Sequence, residues 1–464
     1  MRKQNQRAKK QNLESAESIL LEVEKPLYGG AFLARLDGKA HFTPLTLPGE
    51  EIRARVVESK SSYALCEIEE VLRPSPVRTA PRCRHFGHCG GCAYQHTDAA
   101  TQIPLKVGIL AETLTRAGVA PPGEIDVLVS EPWEYRNRIR LALDSFGRLG
   151  YRARRSRQII PISECPIAAP KVFATAKAAE AALRTLPAIG IVEIELFTNA
   201  DSSELLATLF ARTPQREWAK RFAEYLPGIT GIQLLRVGNQ NAPKGNRNAN
   251  DSDEVEFSLF DSEIFDQWGA NSLNYSVAGF GYRVDNGAFF QVNRFLVDAL
   301  VEKVVAAASP TAKSLAWDLY AGVGLFARQL AAHFKQVVAV ESSPRSKDAL
   351  GANLAGVNSI ADYKRTEDFL QGEVSALKNF SGKSTAGRIP DLIVLDPPRT
   401  GLGPASVSLL NTIESPRIVY VSCDPATLAR DLKALTAYKL SSLTLADLFP
   451  QTFHLESIAV LDRT

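Results

Sequence analysis

The strongest constraint on the fold is a regular alternation of strand and helix patterns in the C-terminal part of the chain. After Asn293, read as a helix N-cap, apolar residues fall at Leu296, Val297, Leu300, Val301, Val304 and Val305, which is helical spacing. Then come strand "LAWDLY", helix "LFARQLAAHF", strand "VVAVES", helix "PRSKDALGANLAG", strand "LIVLDP", a loop and helix, strand "IVYVSC" and helix "PATLARDLKAL". Strands alternating with helices predict a parallel, doubly wound sheet over residues 286–464. The terminal runs "LSSLTLADLFP" and "HLESIAVLDR" predict two further strands at one edge.

The chain has 464 residues, and at about 150 residues per domain that implies about three domains. Residues 18–74 read as a small β-barrel of the oligonucleotide-binding type. Short alternating runs there are separated by Gly29-Gly30, Asp37-Gly38 and Pro48-Gly49. A cysteine-rich loop follows at 75–96. Residues 97–285 mix helical and strand pieces and predict a central α+β domain, with a polar, mobile loop at 238–254. The chain is thus expected to be a multi-domain α/β protein. Residues 1–17 form a basic tail without the apolar stretch of a secretory signal, and are expected to be disordered. No run is long enough to cross a membrane, so the expectation is a cytoplasmic, reduced protein, monomeric in solution.

In the alternating region, Gly322 and Gly324 follow a strand and open a helix, which lets a ligand approach the backbone. Glu341 ends the next strand, where a carboxylate suits ribose hydroxyls. This spacing also fits a nicotinamide fingerprint. Asp396, in "LDPPRTGL", ends a later strand and is stiffened by two prolines. Cys423, in "YVSCDP", ends the next one. A thiol before a helix start suits a nucleophile, although a cysteine there also suits a small core residue. Glu456 interrupts an apolar run, where a carboxylate is costly unless used or paired.

Two further signals concern binding. Cys83-x5-Cys89-x2-Cys92, with Cys165 as the fourth thiol, suits iron–sulfur or zinc. Cys66, in a predicted strand, has no assigned role. From Glu131 to Arg157 there are eight arginines against three acids, with Trp133, Tyr135 and Tyr151 among them. That pattern suits RNA phosphates and bases, or a solvated charged face. The whole-chain balance, 54 basic against 51 acidic residues, does not reveal it.

Several motifs occur together and in order: "YGGAFLARLDG", "LPGEEI", "CRHFGHCGGCAYQH" with "SECP", "YRNRIRL", "FFQVN", "DLYAGVGLFA", "LDPPRTGL", "YVSCDPATLARDL" and "HLESIAVL". Through them nearly the whole chain resembles the RNA (uracil-5-)-methyltransferases of the iron–sulfur type. The resemblance is greatest to the group acting on 23S ribosomal RNA; relatives acting on tRNA also exist. It implies a class I methyltransferase fold at the C-terminus, an N-terminal TRAM barrel and S-adenosylmethionine as methyl donor. It further implies that Cys423 adds to carbon 6 of the uracil and that Glu456 removes the carbon 5 proton. Gln291, Tyr320, Glu341, Asp368 and Asp396 match cofactor-site positions, and Cys83, Cys89, Cys92 and Cys165 match the ligands of a 4Fe-4S cluster. Phe289 and Phe290 are candidates for stacking on RNA bases. Some relatives have a polar cofactor contact where this chain has Leu325. Two rival readings are a non-catalytic iron–sulfur RNA-binding protein and a nicotinamide-dependent oxidoreductase.

Overall fold

The structure is a computed structural model and describes residues 18–237, 263–308, 314–378 and 389–464. The basic tail and the 238–254 loop lie outside the described residues. The chain divides into two compact units: residues 1–109 with 451–454, and residues 110–450 with 455–464.

The first unit is built on a closed five-stranded barrel: β1 (Ser18–Pro26), β2 (Ala31–Leu36), β3 (Lys39–Pro44), β4 (Glu51–Ser59) and β5 (Tyr63–Arg73), in the order β1-β2-β3-β5-β4. Alternation turns Leu21, Val23, Phe32, Ala34, Ile52, Ala54 and Ala64 into one core, together with Tyr94. The β2–β3 hairpin turns at Asp37-Gly38, both at positive φ, with Leu36 opposite Lys39. β3, "KAHFTP", is the strand least visible in the sequence pattern, because it carries few apolar residues. Buried Glu50 ties the barrel to the chain that leaves it, accepting from Leu47 N, Ser75 N and the Arg78 guanidinium. Burial works to raise its pKa, but these donors hold the carboxyl below its ordinary value. A helix, α1 (Ala99–Ala117), begins in this unit.

The second unit holds two large sheets. β6 (Asp126–Leu128) precedes β7 (Arg138–Leu143), β8 (Leu149–Arg152) and β9 (Ile159–Pro161). After α2 (Pro170–Ala182) come β10 (Ile191–Thr198), β11 (Leu205–Ala211), α3 (Trp218–Ala223), β12 (Gly231–Arg236) and β13 (Glu263–Gly269). The sheet in the order β13-β12-β11-β10-β7-β8-β9 packs one apolar face against α2 and α3, burying Ile139, Leu141, Ile194, Leu196, Val172 and Trp218. A two-stranded ribbon, β14 (Ser272–Val277) and β15 (Phe280–Asp285), leads into the last sheet.

That sheet contains β16 (Leu315–Leu319), β17 (Gln336–Val340), β18 (Ser359–Asp362), β19 (Leu392–Leu395), β20 (Arg417–Ser422), β21 (Tyr438–Ala446) and β22 (Glu456–Arg463). Its helices are α4 (Val297–Ala307), α5 (Leu325–Leu330), α6 (Lys347–Leu354), α7 (Thr366–Lys378), α8 (Gly403–Ile413) and α9 (Pro425–Ala434). The order is β18-β17-β16-β19-β20-β22-β21-β6. β18 to β20 are parallel, as the alternating pattern predicts.

The structure differs from the sequence reading at three points here. The two terminal strands do not simply extend the edge, because β22 inserts antiparallel between β20 and β21. The edge is β6, parallel to β21, contributed by the segment assigned to the central domain; it covers ladder groups that β21 would otherwise expose. Asn293 caps a turn rather than the helix itself: its Oδ1 accepts from Phe295 N and Leu296 N, and α4 begins at Val297.

Candidate active site

In a parallel sheet the carboxyl ends of the strands lie along one edge. Leu319 is opposite Val340 and Leu395, and Leu395 is opposite Tyr420. The residues leaving these strands, Tyr320, Glu341, Asp396 and Cys423, therefore gather at that edge. β22 runs the other way. Ser457 pairs with Ser422, so Glu456, at the start of β22, arrives beside the residue after Ser422, which is Cys423. Reversal of one strand brings the last candidate residue to the same end as the others.

The glycine turn lies next to β16. Tyr320, Gly322 and Gly324 all have positive φ, at 66°, 56° and 86°. A Cβ at Gly324 would meet Leu350 at 2.9 Å, whereas one at Gly322 would meet nothing within 4 Å. Gly324 thus serves helix packing, and Gly322 leaves open space above the turn. Glu341 holds this turn: its Oε2 accepts from Gly322 N at 2.8 Å and its Oε1 from Ser343 N at 2.5 Å. Each oxygen retains a second lone pair for a ligand hydroxyl. The Tyr320 side chain hydrogen-bonds to Thr366 and Ser406. Gln291 is buried, and its carbonyl accepts from Asn137 Nδ2 at 3.1 Å. Leu325 is buried at the start of α5. Asp368 is on the exposed first turn of α7.

The candidate groups at this edge share an environment that disfavours negative charge. Glu456 is buried; burial and then Asp396 push its carboxyl well above the ordinary carboxylate range, and Arg399 opposes this. Burial raises Asp396 to about 7. The Cys423 thiol is pushed up to about 12, first by burial, then by Glu456 and Asp396, with Arg399 opposing. Asp318, inside β16, is a further acid that the sequence reading passed over. Burial, then Asp396 and Glu341, raise it to about 8, although its Oδ2 accepts from Ala327 N at 2.8 Å. An acid inside the apolar run "LAWDLY" was the available signal.

The other expected groups are placed as follows. In the first unit, Cys83 N donates to Gln95 Oε1 at 3.0 Å, Gly91 N donates to Cys89 Sγ at 3.4 Å, and Gly87 has φ of 89°. These contacts shape one compact loop around Cys83, Cys89 and Cys92. In the second unit, Cys165 Sγ lies 4.0 Å from Tyr151 Oη. None of the six cysteines forms a disulfide. Among the described residues, no three His, Cys, Asp or Glu side chains group around a single-ion position. Cys66 is buried in the barrel core.

Much of the arginine-rich stretch is engaged within the protein. Arg140 and Arg152 pair with Glu193 at 2.7 Å, Arg138 faces Glu195 at 3.9 Å, and Arg148 pairs with Asp144 at 2.8 Å. Arg136 Nε donates to Arg138 O. Tyr135 is fully buried and donates to Pro450 O. Arg155 and Arg157 remain exposed. Phe290 is core, whereas Phe289 is 62% exposed.

A doubly wound sheet with an inserted antiparallel strand, an open glycine turn and a strand-end acid facing it forms a crevice for a nucleotide-type cofactor. Residues 263–464 match the family described as tRNA (Uracil-5-)-methyltransferase. The 23S rRNA (uracil(1939)-C(5))-methyltransferase RlmD of Klebsiella pneumoniae is 30% identical, covering 94% of this chain and 93% of its own length. An uncharacterized RNA methyltransferase of Streptomyces coelicolor is 33% identical, covering 96% and 93%. The crystal structure of Pyrococcus abyssi tRNA (uracil-54, C5)-methyltransferase, in complex with S-adenosyl-L-homocysteine, has the same fold. Its TM-score is 0.70 at 24% identity, covering 95% of this chain and 99% of that one. The chain belongs to the RNA (uracil-5-)-methyltransferase family. It is an enzyme that methylates carbon 5 of uracil in RNA with S-adenosylmethionine as donor.

The raised Cys423 pKa has a measurable consequence in the ligand-free enzyme. Peptide-resolved alkylation of Cys423 is expected to accelerate about tenfold per pH unit, passing the ordinary thiol value of 9.0 without a plateau. Glu456→Gln removes a charge that opposes the thiolate, so alkylation at pH above 9.0 should become faster. A plateau below 9.0 in the unmodified enzyme would contradict the assigned environment.

Proposed function

We propose that this enzyme methylates a uridine of 23S ribosomal RNA, with Cys423 as the nucleophile and Glu456 as the base. The observation that carries the reading is the arrival of thiol and carboxyl at the carboxyl edge of the sheet, where the Glu456 carboxyl helps to raise the Cys423 thiol. Uracil has no strong nucleophile at carbon 5. Addition of the Cys423 thiolate to carbon 6 makes carbon 5 enolate-like. S-adenosylmethionine, when bound, supplies the methyl group that carbon 5 takes. Glu456 then accepts the carbon 5 proton, and the sulfur–carbon 6 bond breaks to restore thiolate and ring. A base presented this way has left its stack, at a cost of a few kcal/mol.

In this reading Gln291, Tyr320, Glu341, Asp368 and Asp396 form the cofactor site. Glu341 takes the ribose hydroxyls, and Asp396 lies near the donor and the base. The open space over Gly322 and the spare lone pairs of Glu341 support that assignment. Exposed Phe289 is suited to stacking on the substrate base. Cys83, Cys89, Cys92 and Cys165 hold a 4Fe-4S cluster that orders RNA-binding loops, and residues 18–74 form a TRAM domain. A backbone N–H aimed at Cys89 Sγ suits a thiolate ligand, and four thiols are the donor set such a cluster requires. The enzyme works as a cytoplasmic monomer; no described helix is long and apolar enough to cross a membrane.

Three outcomes test this reading. Cys423→Ala should abolish both methylation and covalent trapping by 5-fluorouridine RNA, whereas Glu456→Gln should still form a covalent complex but turn over at least ~100-fold more slowly. A fully active alanine variant would sink the mechanism. Mass-spectrometric mapping with and without the gene should show a 5-methyluridine lost from 23S RNA; loss from tRNA alone would transfer the assignment to tRNA. Anaerobically purified protein should be brown with equimolar iron and sulfide, and substituting Cys89→Ser should reduce both. A colourless zinc protein would overturn the cluster.

A further inference from the structure

The loop after Asp396 and the strand before Cys423 are joined through one buried carboxylate. Asp431, on α9, is only 1% exposed. Its Oδ2 accepts from Leu402 N at 2.8 Å and from Tyr420 Oη at 2.9 Å. Its Oδ1 accepts from Arg430 Nε at 2.9 Å and Nη2 at 2.8 Å, and the same Nη2 donates to Thr400 O at 2.8 Å. Tyr420 lies three residues before Cys423 in β20, and Leu402 lies six after Asp396. Asp431 itself is on the helix that starts just beyond Cys423.

The loop fits closely against this carboxylate. Gly401 has φ of 74°, and a Cβ there would meet Asp431 Oδ2 at 2.4 Å and Arg430 Nη2 at 2.5 Å. Gly401 N donates to Pro398 O at 2.8 Å, so the turn is closed on both sides. α8 starts directly after Leu402 and carries Ser406, which hydrogen-bonds Tyr320. The strand, the helix and the loop that present the thiol, the acid and the tyrosine thus share one fastening point.

We propose that Asp431 is a positioning residue for methyl transfer: it sets the separation of Asp396 and Cys423 by binding the loop of one to the strand of the other. The proposal rests on the assignment of Cys423 as nucleophile. Its neighbours Arg430 and Tyr420 complete the fastening, one from the surface and one from the core.

The test is steady-state kinetics of full-length Tyr420→Phe and Asp431→Asn, beside thermal melts and the rate of covalent trapping by 5-fluorouridine RNA. Tyr420→Phe should lower kcat about 10-fold and Asp431→Asn about 100-fold. KM for S-adenosylmethionine and for RNA should stay within about twofold. Trapping should slow in parallel but still reach one adduct per enzyme. Unchanged kcat, or losses that merely follow the folded fraction, would overturn the proposal. Should Asp431→Asn fail to fold, Tyr420→Phe and Gly401→Ala decide the matter by the same split. A Cys423→Ala control separates the two readings. If it methylates, the nucleophile assignment fails; if it is inactive while Tyr420→Phe matches the unmodified enzyme, only the positioning role fails.

Discussion

The crevice depends on the pairing of Ser422 with Ser457. A parallel sheet delivers the ends of its strands to one edge, but it can place only residues that follow strands there. A group that must approach the same point from the opposite chain direction requires a strand of opposite sense. β22 supplies it, and its position between β20 and β21 keeps that strand off the edge. Interior placement has a second effect. Glu456 is paired with Ala446 of β21 and directly precedes Ser457, which pairs with Ser422, so its main chain is fixed by the sheet rather than carried on a mobile loop.

Burial at this edge also determines where protons rest. Asp318, Asp396, Glu456 and Cys423 are all displaced toward their neutral forms; Asp396 raises the other three, and Glu456 also raises Cys423. The ligand-free site therefore carries less negative charge than its composition suggests. Arg399 is the charge that opposes this trend at both Cys423 and Glu456. Cations near this edge favour the thiolate, whereas Asp424, which caps the Ala426 and Thr427 N–H groups at the start of α9, opposes it.

How much of this was legible in the sequence depends on how local each cause is. The β–α alternation, the Asp37-Gly38 hairpin and the glycine turn are written in neighbouring residues. The strand-end positions of Glu341, Asp396 and Cys423 follow because each ends an apolar run. Glu456 stood out because a charge in such a run needs a reason. The place of β22 in the sheet was not legible, since antiparallel insertion is decided by pairing between distant segments. β6 was missed for the same reason, being three residues long and completed only by β21. Asp318 carries the same local signal as Glu456, an acid within an apolar run, but it lies inside a strand rather than at its end, so only the folded sheet shows which groups it faces. Asp431 was silent, its partners lying in two other segments of the chain.

The arginine-rich stretch carries a last consequence. Glu193 and Glu195, some fifty residues away on β10, pair with Arg138 and Arg140 of the neighbouring β7 and, beyond it, with Arg152 of β8. Those guanidiniums are committed to carboxylates of the sheet. Affinity for RNA that comes from ion release scales with the number of phosphates actually neutralised. Its dependence on ionic strength should accordingly be much shallower than eight arginines in one stretch would suggest.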